Sequence, residues 1–141
     1  MRTSFALLVA AAICVIPGIA QNTETYRLRL APVATDIAMR ENIAGSGLVT
    51  ATLAGSKLTL AGTFEGMKGN ATMAHIHQGT APGVRGPKLL DVTITKAMNG
   101  NLSGTFDLTP ENMEALKKGK WYIQIHSEKA PDGNLWGWIV K

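Results

Sequence analysis

The residues of this chain best suited to chemistry are its three histidines, which lie in two short segments. His75 and His77 are separated by one residue, and His126 ends the segment Trp121–His126. Both segments have strand character. Alternate residues of a strand point to the same side, so His75 and His77 share a face. A third imidazole from another strand would complete a metal site. Three imidazoles suit copper or zinc and leave one coordination position open.

Neighbouring residues bear on which metal would bind. Met73 shares the face of His75 and His77, and its thioether would make the site softer and favour Cu(I), although methionine more often fills a core. We therefore expect copper ahead of zinc, and no other cofactor. The carboxylates that could orient the imidazoles, or simply lie on the surface, are Asp91, Glu128 and Asp132.

A structural role is the alternative for the histidines. The His-x-His pair could hydrogen-bond to loop carbonyls, and His126 could help to hold two loops together without a metal. Both histidine segments lead into glycine-rich polar loops, residues 78–87 and 127–133. Either role requires these loops to gather at one end of the fold.

Short strands separated by turn residues make up most of the sequence. Alternation of apolar and polar residues predicts a first strand at Tyr26–Leu30. Asn99-Gly100 predicts a two-residue hairpin turn, because both residue types tolerate positive φ. Seven or eight antiparallel strands at this spacing predict a sandwich or barrel. The further strands are predicted over residues 48–53, 57–64, 72–77, 89–95, 102–108, 121–126 and 134–140.

One short helix near residues 110–118 interrupts the strands. Thr109 is suited to cap its first turn, and Pro110 suits the first helical position. Gly119 can end the helix in a left-handed conformation.

A secretory signal peptide is predicted over residues 1–20. Arg2 precedes an apolar run, and small residues lead to cleavage after Ala20. The run is short for a membrane span of about 20 residues. The only cysteine, Cys14, lies in this segment, so the domain predicted over residues 21–141 has no disulfide. The expected location is the periplasm or the exterior.

The formal net charge of +4 is spread along the chain. No basic stripe interleaved with aromatic residues is present, so nucleic-acid binding is not expected. No Ser-His-Asp or paired-carboxylate arrangement was found, and an enzyme is therefore the less favoured class.

At these motifs the chain resembles the CHRD family, named from chordin. The matching motifs are Ala74-His75-Ile76-His77 with Gly79, Gly83-Val84-Arg85-Gly86-Pro87, Leu108-Thr109-Pro110, Gly119-x-Trp121-Tyr122-Ile123-x-Ile125-His126, and Pro131-x-Gly133 through Ile139. The resemblance runs from about Tyr26 to the C-terminus. It implies an all-β, immunoglobulin-like or Greek-key sandwich that is often secreted. Together with the seven or eight predicted strands and the likeness described next, we expect an antiparallel Greek-key sandwich that is immunoglobulin-like or Cu,Zn superoxide dismutase-like.

A looser likeness concerns the metal. The His-x-His strand and the later segment 125–133 are similar to the copper-side segments of Cu,Zn superoxide dismutases, which also use a β-sandwich. The likeness implies that His75, His77 and His126 stand at copper-ligand positions. It does not extend to a bridging histidine, zinc-site histidines or a cysteine pair.

Both faces of the closing strand are apolar. Trp136 and Trp138 share one face, and Leu135 and Ile139 share the other. One face belongs to the core. The tryptophan face is either covered by another element or is a docking surface, in which tryptophan is an energetic anchor.

We therefore predict an exported CHRD-like binding module, or an accessory subunit of an envelope protein complex, that carries one three-histidine metal site. The alternative is a single-site copper-binding or copper-redox protein related to Cu,Zn superoxide dismutase. The expected partner is another envelope or secreted protein. Membrane contact would run only through that partner or through the Trp-rich last strand.

Overall fold

The structure, a computed structural model, describes residues 21–141. The predicted signal peptide and Cys14 lie outside the described residues. Within them the chain forms eight strands, one 3-10 turn at Ala38–Glu41 and one α-helix. The elements are β1 (Thr23–Pro32), β2 (Ser46–Ala54), β3 (Lys57–Glu65), β4 (Ala71–Gln78), β5 (Lys88–Ile94), β6 (Gly100–Asp107), α1 (Pro110–Lys117), β7 (Trp121–Ser127) and β8 (Ala130–Trp138).

The strands pair antiparallel in the order β1-β2-β3-β6-β5-β4-β7-β8 and close into a barrel. This confirms the all-β class, the strand number and the helix. The prediction of a sandwich with two separate sheets is wrong. Strands β1, β2, β3 and β6 pair well with one another, as do β5, β4, β7 and β8, and short pairings at two seams, β1–β8 and β5–β6, join these two halves. Ala31–Pro32 pairs with Leu135–Trp136, and Thr93–Ile94 pairs with Leu102–Ser103. The connections from β3 to β4 and from β6 to β7 each pass two intervening strands. The Greek-key assignment stays a prediction.

The core fills the barrel interior with one face of each strand. On β1 the inward residues Tyr26, Leu28 and Leu30 are buried, while their neighbours are not. On β7, Ile123 and Ile125 have no exposed surface. Burial of each such aliphatic side chain stabilises the fold by roughly 1.5–3 kcal/mol. The inward faces therefore fix which side chains of β4 and β7 point outward.

Helix α1 is anchored as its sequence predicts. Thr109 Oγ1 accepts a hydrogen bond from the Asn112 main-chain N–H at 3.2 Å. Leu116 is fully buried in the core, and Gly119 has φ +70°. No helix within residues 21–141 is long and apolar enough to cross a membrane.

The turn predicted at Asn99-Gly100 is wrong. The β5–β6 connection spans residues 95–99, and Gly100 already belongs to β6. Asn99 instead uses its side chain, whose Oδ1 accepts a hydrogen bond from the Gly66 main-chain N–H at 2.7 Å. Tertiary contact with a neighbouring loop has thus replaced the local turn preference.

Candidate metal centre

The three histidines lie on the outer surface of the barrel, on the adjacent strands β4 and β7. The residues that alternate with His75 and His77, Ala74 and Ile76, are buried inside the barrel. On β7, His126 follows the fully buried Ile125. The predicted strand alternation therefore places all three imidazoles on one face of neighbouring strands.

The structure brings the three imidazoles together. One ring nitrogen from each residue lies within 4.8 Å of those of the other two. His75 Nδ1 lies 3.2 Å from His126 Nε2. Nitrogens bound tetrahedrally to one ion at roughly 2.0–2.1 Å lie about 3.4 Å apart. The spacing is therefore close to that of a metal site, and small side-chain rotations would complete it.

The second nitrogen of each ring is held by a group outside the cluster. His77 Nδ1 donates to the Gly86 carbonyl oxygen at 3.0 Å, and His126 Nδ1 donates to the Pro131 carbonyl oxygen at 2.7 Å. His75 Nε2 lies 3.3 Å from Asp91 Oδ1. Such outer contacts fix the tautomer and the orientation of metal-binding imidazoles. When the protons lie on these outer nitrogens, the lone pairs are on His75 Nδ1, His77 Nε2 and His126 Nε2, of which His75 Nδ1 and His126 Nε2 lie 3.2 Å apart.

His77 Nε2 is buried and finds no hydrogen-bond partner among residues 21–141. An unsatisfied buried polar atom costs about 1–3 kcal/mol. A cation at the centre of the cluster would remove this cost by accepting the Nε2 lone pair. The donor atoms thus fit a bound metal ion on the evidence of their own surroundings.

Tyr122 positions His77 and the loop that holds it. The Tyr122 ring stacks on the His77 ring with centroids 5.0 Å apart and 16° between the planes. Its hydroxyl donates to the Gly86 carbonyl oxygen and accepts from the Gly86 N–H. A Cβ on Gly86 would lie 1.8 Å from the Gln78 carbonyl oxygen, so no side chain fits there. A hydrogen bond from the His-x-His pair to a loop carbonyl was expected, and Gly86 lies in a matching motif. The sequence could not identify Gly86 as the acceptor, because every residue type has a main-chain carbonyl.

Burial lowers the pKa of His75 below its usual 6.5, with the neighbouring His126 as the next cause. Burial is also the largest cause of the lowered pKa of His77, although the hydrogen bond to Gly86 acts in the opposite direction. Both imidazoles are therefore neutral at neutral pH. This is the form that binds metals.

Of the three carboxylates predicted to orient the imidazoles, only Asp91 contacts one of them within the described residues. Asp91 contacts His75 as well as Lys88 Nζ, and the hydrogen bond from Lys88 is the main reason that its pKa is lowered. The Glu128 side chain accepts hydrogen bonds from Asn70 instead. Asp132 contributes only its carbonyl oxygen, to Gln124 Nε2.

The core role considered for Met73 is wrong. The side chain lies on the outer face of β4 and is 47% exposed.

The two tryptophans of β8 continue this surface. Tyr122 contacts Trp136 and Trp138 with ring centroids 5.5 and 4.6 Å apart. The Arg85 guanidinium lies 4.6 Å above the Trp136 ring, and Trp136 is only 6% exposed. Trp138 is half-buried. The docking surface predicted at these residues stays a prediction, in which Trp138 offers the more accessible ring.

A family model described as the CHRD domain matches residues 29–139, a range that includes all three histidines. The chain belongs to the CHRD family. The match confirms the family predicted from the sequence motifs. It covers the end of β1 from Arg29 onwards and all of β2 to β8. Comparison of this CHRD domain with curated proteins and with solved structures found no match.

Proposed function

We propose that this CHRD domain is an exported copper-binding module that takes one ion on His75 Nδ1, His77 Nε2 and His126 Nε2. The observation that carries the proposal is the buried His77 Nε2, which has no partner among the described residues. His77 belongs to a cluster in which one ring nitrogen from each of the three histidines lies within 4.8 Å of the other two. Export is proposed from the signal peptide predicted over residues 1–20.

The tautomers favour metal binding over a purely structural role. The carbonyl of Pro131 requires a proton on His126 Nδ1, and Asp91 favours one on His75 Nε2. Two neutral rings held in this way would direct lone pairs at each other across 3.2 Å. A purely structural role would instead need the proton on His75 Nδ1, which could then donate to His126 Nε2 but would leave no proton on His75 Nε2 for Asp91. A cation between the two nitrogens would keep both outer contacts.

Copper is preferred to zinc for this set of donors. Imidazole suits both ions, but divalent copper binds a given nitrogen site more tightly than zinc in the general affinity order. Structural zinc sites usually have four cysteine or histidine ligands, whereas this cluster supplies three imidazoles. Bound copper would supply one-electron redox chemistry. A copper-redox role related to that of superoxide dismutases stays a prediction.

The test is copper uptake by purified protein and by a variant with all three histidines replaced by alanine. We expect one equivalent of copper in the wild type and none in the variant, with Asp107→Ala as a control at an exposed site. Circular dichroism checks that each variant is folded. Equal, weak uptake by the wild type and the triple variant would overturn the proposal.

A second candidate is an accessory subunit that docks on another envelope protein. Half-buried Trp138 and Val140, which is 46% exposed, place apolar surface at the end of the chain. Cross-linking in the envelope fraction should then capture a defined partner, and Trp138→Ala should reduce its yield relative to Leu48→Ala, a change at another exposed apolar residue. The same yield from both variants would remove Trp138 from the proposed interface.

A further inference from the structure

Met73 is the side chain best placed to add a fourth ligand to the three imidazoles. It lies on β4 two residues before His75, so the two side chains share the outer face. Its paired residue on β7 is His126. Directly opposed residues of antiparallel strands have Cβ atoms about 4.5–5.5 Å apart. Met73 is therefore an immediate neighbour of two of the three imidazoles.

Burial does not explain the apolar side chain at this position. The inward residues Ala71, Ala74 and Ile76 supply the core contacts of β4, whereas Met73 is 47% exposed. Methionine has three rotatable side-chain bonds and a polarizable sulfur. Its thioether can therefore swing across the strand pair towards the open side of the cluster.

Asp91, the carboxylate that contacts the cluster, already interacts with the outer nitrogen of His75 and with Lys88. Asp91 Oδ1 lies 3.3 Å from His75 Nε2, on the side of that ring away from His126, and 3.0 Å from Lys88 Nζ. It therefore orients His75 and does not face the common space. On the side of His126, the cross-strand neighbour is Met73.

We propose that Met73 Sδ is the fourth ligand of the copper site and makes it selective for Cu(I). The inference rests on the proposed copper-binding function. Three imidazoles alone accept Cu(II) or zinc, whereas a thioether is a soft donor that favours Cu(I). The addition of Met73 thus shifts the preference of the site towards the reduced ion without adding charge.

The test compares Cu(I) affinity in the wild type, Met73→Leu and Met98→Leu, measured by competition with bicinchoninate under anaerobic conditions. Leucine keeps the apolar volume and removes the sulfur. Met98 is a matched control because it is 48% exposed and lies in the β5–β6 connection. We expect Met73→Leu to weaken Cu(I) binding by about tenfold or more. Met98→Leu should match the wild type, and zinc affinity should be the same in all three proteins.

X-ray absorption at the copper edge gives an independent readout. Wild-type protein loaded with Cu(I) should show one sulfur scatterer that Met73→Leu lacks and Met98→Leu retains. Equal Cu(I) affinity in all three proteins, with no sulfur scatterer, would overturn the role of Met73 while copper uptake still depended on the histidines. Loss of that histidine dependence would instead overturn the proposed function.

Discussion

The replacement of His77 by phenylalanine separates a metal ligand from a structural histidine. The phenyl ring can keep the stacking on Tyr122, and it removes both nitrogens. Loss of the Nδ1 hydrogen bond to Gly86 costs about 0.5–1.5 kcal/mol, whereas removal of the unsatisfied buried Nε2 returns about 1–3 kcal/mol. The Gly86 carbonyl oxygen keeps the Tyr122 hydroxyl as a donor. In the metal-free protein we therefore expect the effect of His77→Phe to lie between about 0.5 kcal/mol destabilising and about 2.5 kcal/mol stabilising.

Copper should make the wild type more stable than His77→Phe. At a free copper concentration of 100 times Kd, the wild type should gain about 2.7 kcal/mol. A domain of this size shifts Tm by about 4 °C per kcal/mol. Differential scanning calorimetry with chelator-treated and copper-loaded samples should thus show a rise of about 11 °C for the wild type and none for His77→Phe. The reasoning is refuted if metal-free His77→Phe is destabilised by more than about 1 kcal/mol and copper still raises its Tm.

Three further outcomes follow from the contacts around the cluster. Tyr122→Phe removes the hydroxyl that hydrogen-bonds to Gly86, so urea unfolding should show a loss of about 1 kcal/mol in the free energy of unfolding. Copper binding should weaken about tenfold. Unchanged copper affinity would mean that the hydroxyl does not position the loop. Gly86→Ala introduces a Cβ 1.8 Å from the Gln78 carbonyl oxygen, so isothermal titration should show a larger loss of copper affinity than Tyr122→Phe, and wild-type affinity would contradict the packing. The pKa values of His75 and His77 are lowered in the folded protein, so below about pH 6.5 the unfolded chain binds more protons than the folded one. The free energy of unfolding of the metal-free protein should therefore be level above that pH and fall as the pH drops towards 5. A level profile from pH 7 to 5 would refute the burial of neutral imidazoles.

Much of the strand pattern was readable from the sequence because one face of each strand is apolar. The strand predicted over residues 57–64 is observed as Lys57–Glu65, and that over 72–77 as Ala71–Gln78. Strand β8 begins four residues earlier than predicted, at Ala130, because Pro131 and Gly133 are typical of loops. They lie where the β7–β8 register shifts, and the Pro131 carbonyl oxygen reaches His126 from there.

Closure of the barrel was not readable in the same way. The two seams each depend on a pairing of two residues at the strand ends. Such short pairings depend on how far two strands overlap in space. Local apolar periodicity carries no information on that overlap, so the sequence could not distinguish a closed barrel from a sandwich.

The histidine cluster was predictable in its members and not in its surroundings. The His-x-His spacing fixes a shared face, and the apolar alternation around Ile125 fixes the face of His126. The adjacency of β4 and β7 depends on the barrel order. The carbonyl groups of Gly86 and Pro131 then set the tautomers of His77 and His126. Because every residue has a main-chain carbonyl, the sequence does not show which residues supply these acceptors.

The central claim is that one copper ion binds at the point where His75 Nδ1, His77 Nε2 and His126 Nε2 meet. A crystal structure of the copper-loaded protein, with anomalous scattering recorded at the copper edge, tests it most directly. We expect a single strong peak at roughly 2.0–2.1 Å from all three nitrogens. A peak bound to no more than one of them, or copper confined to other parts of the protein surface, would contradict it.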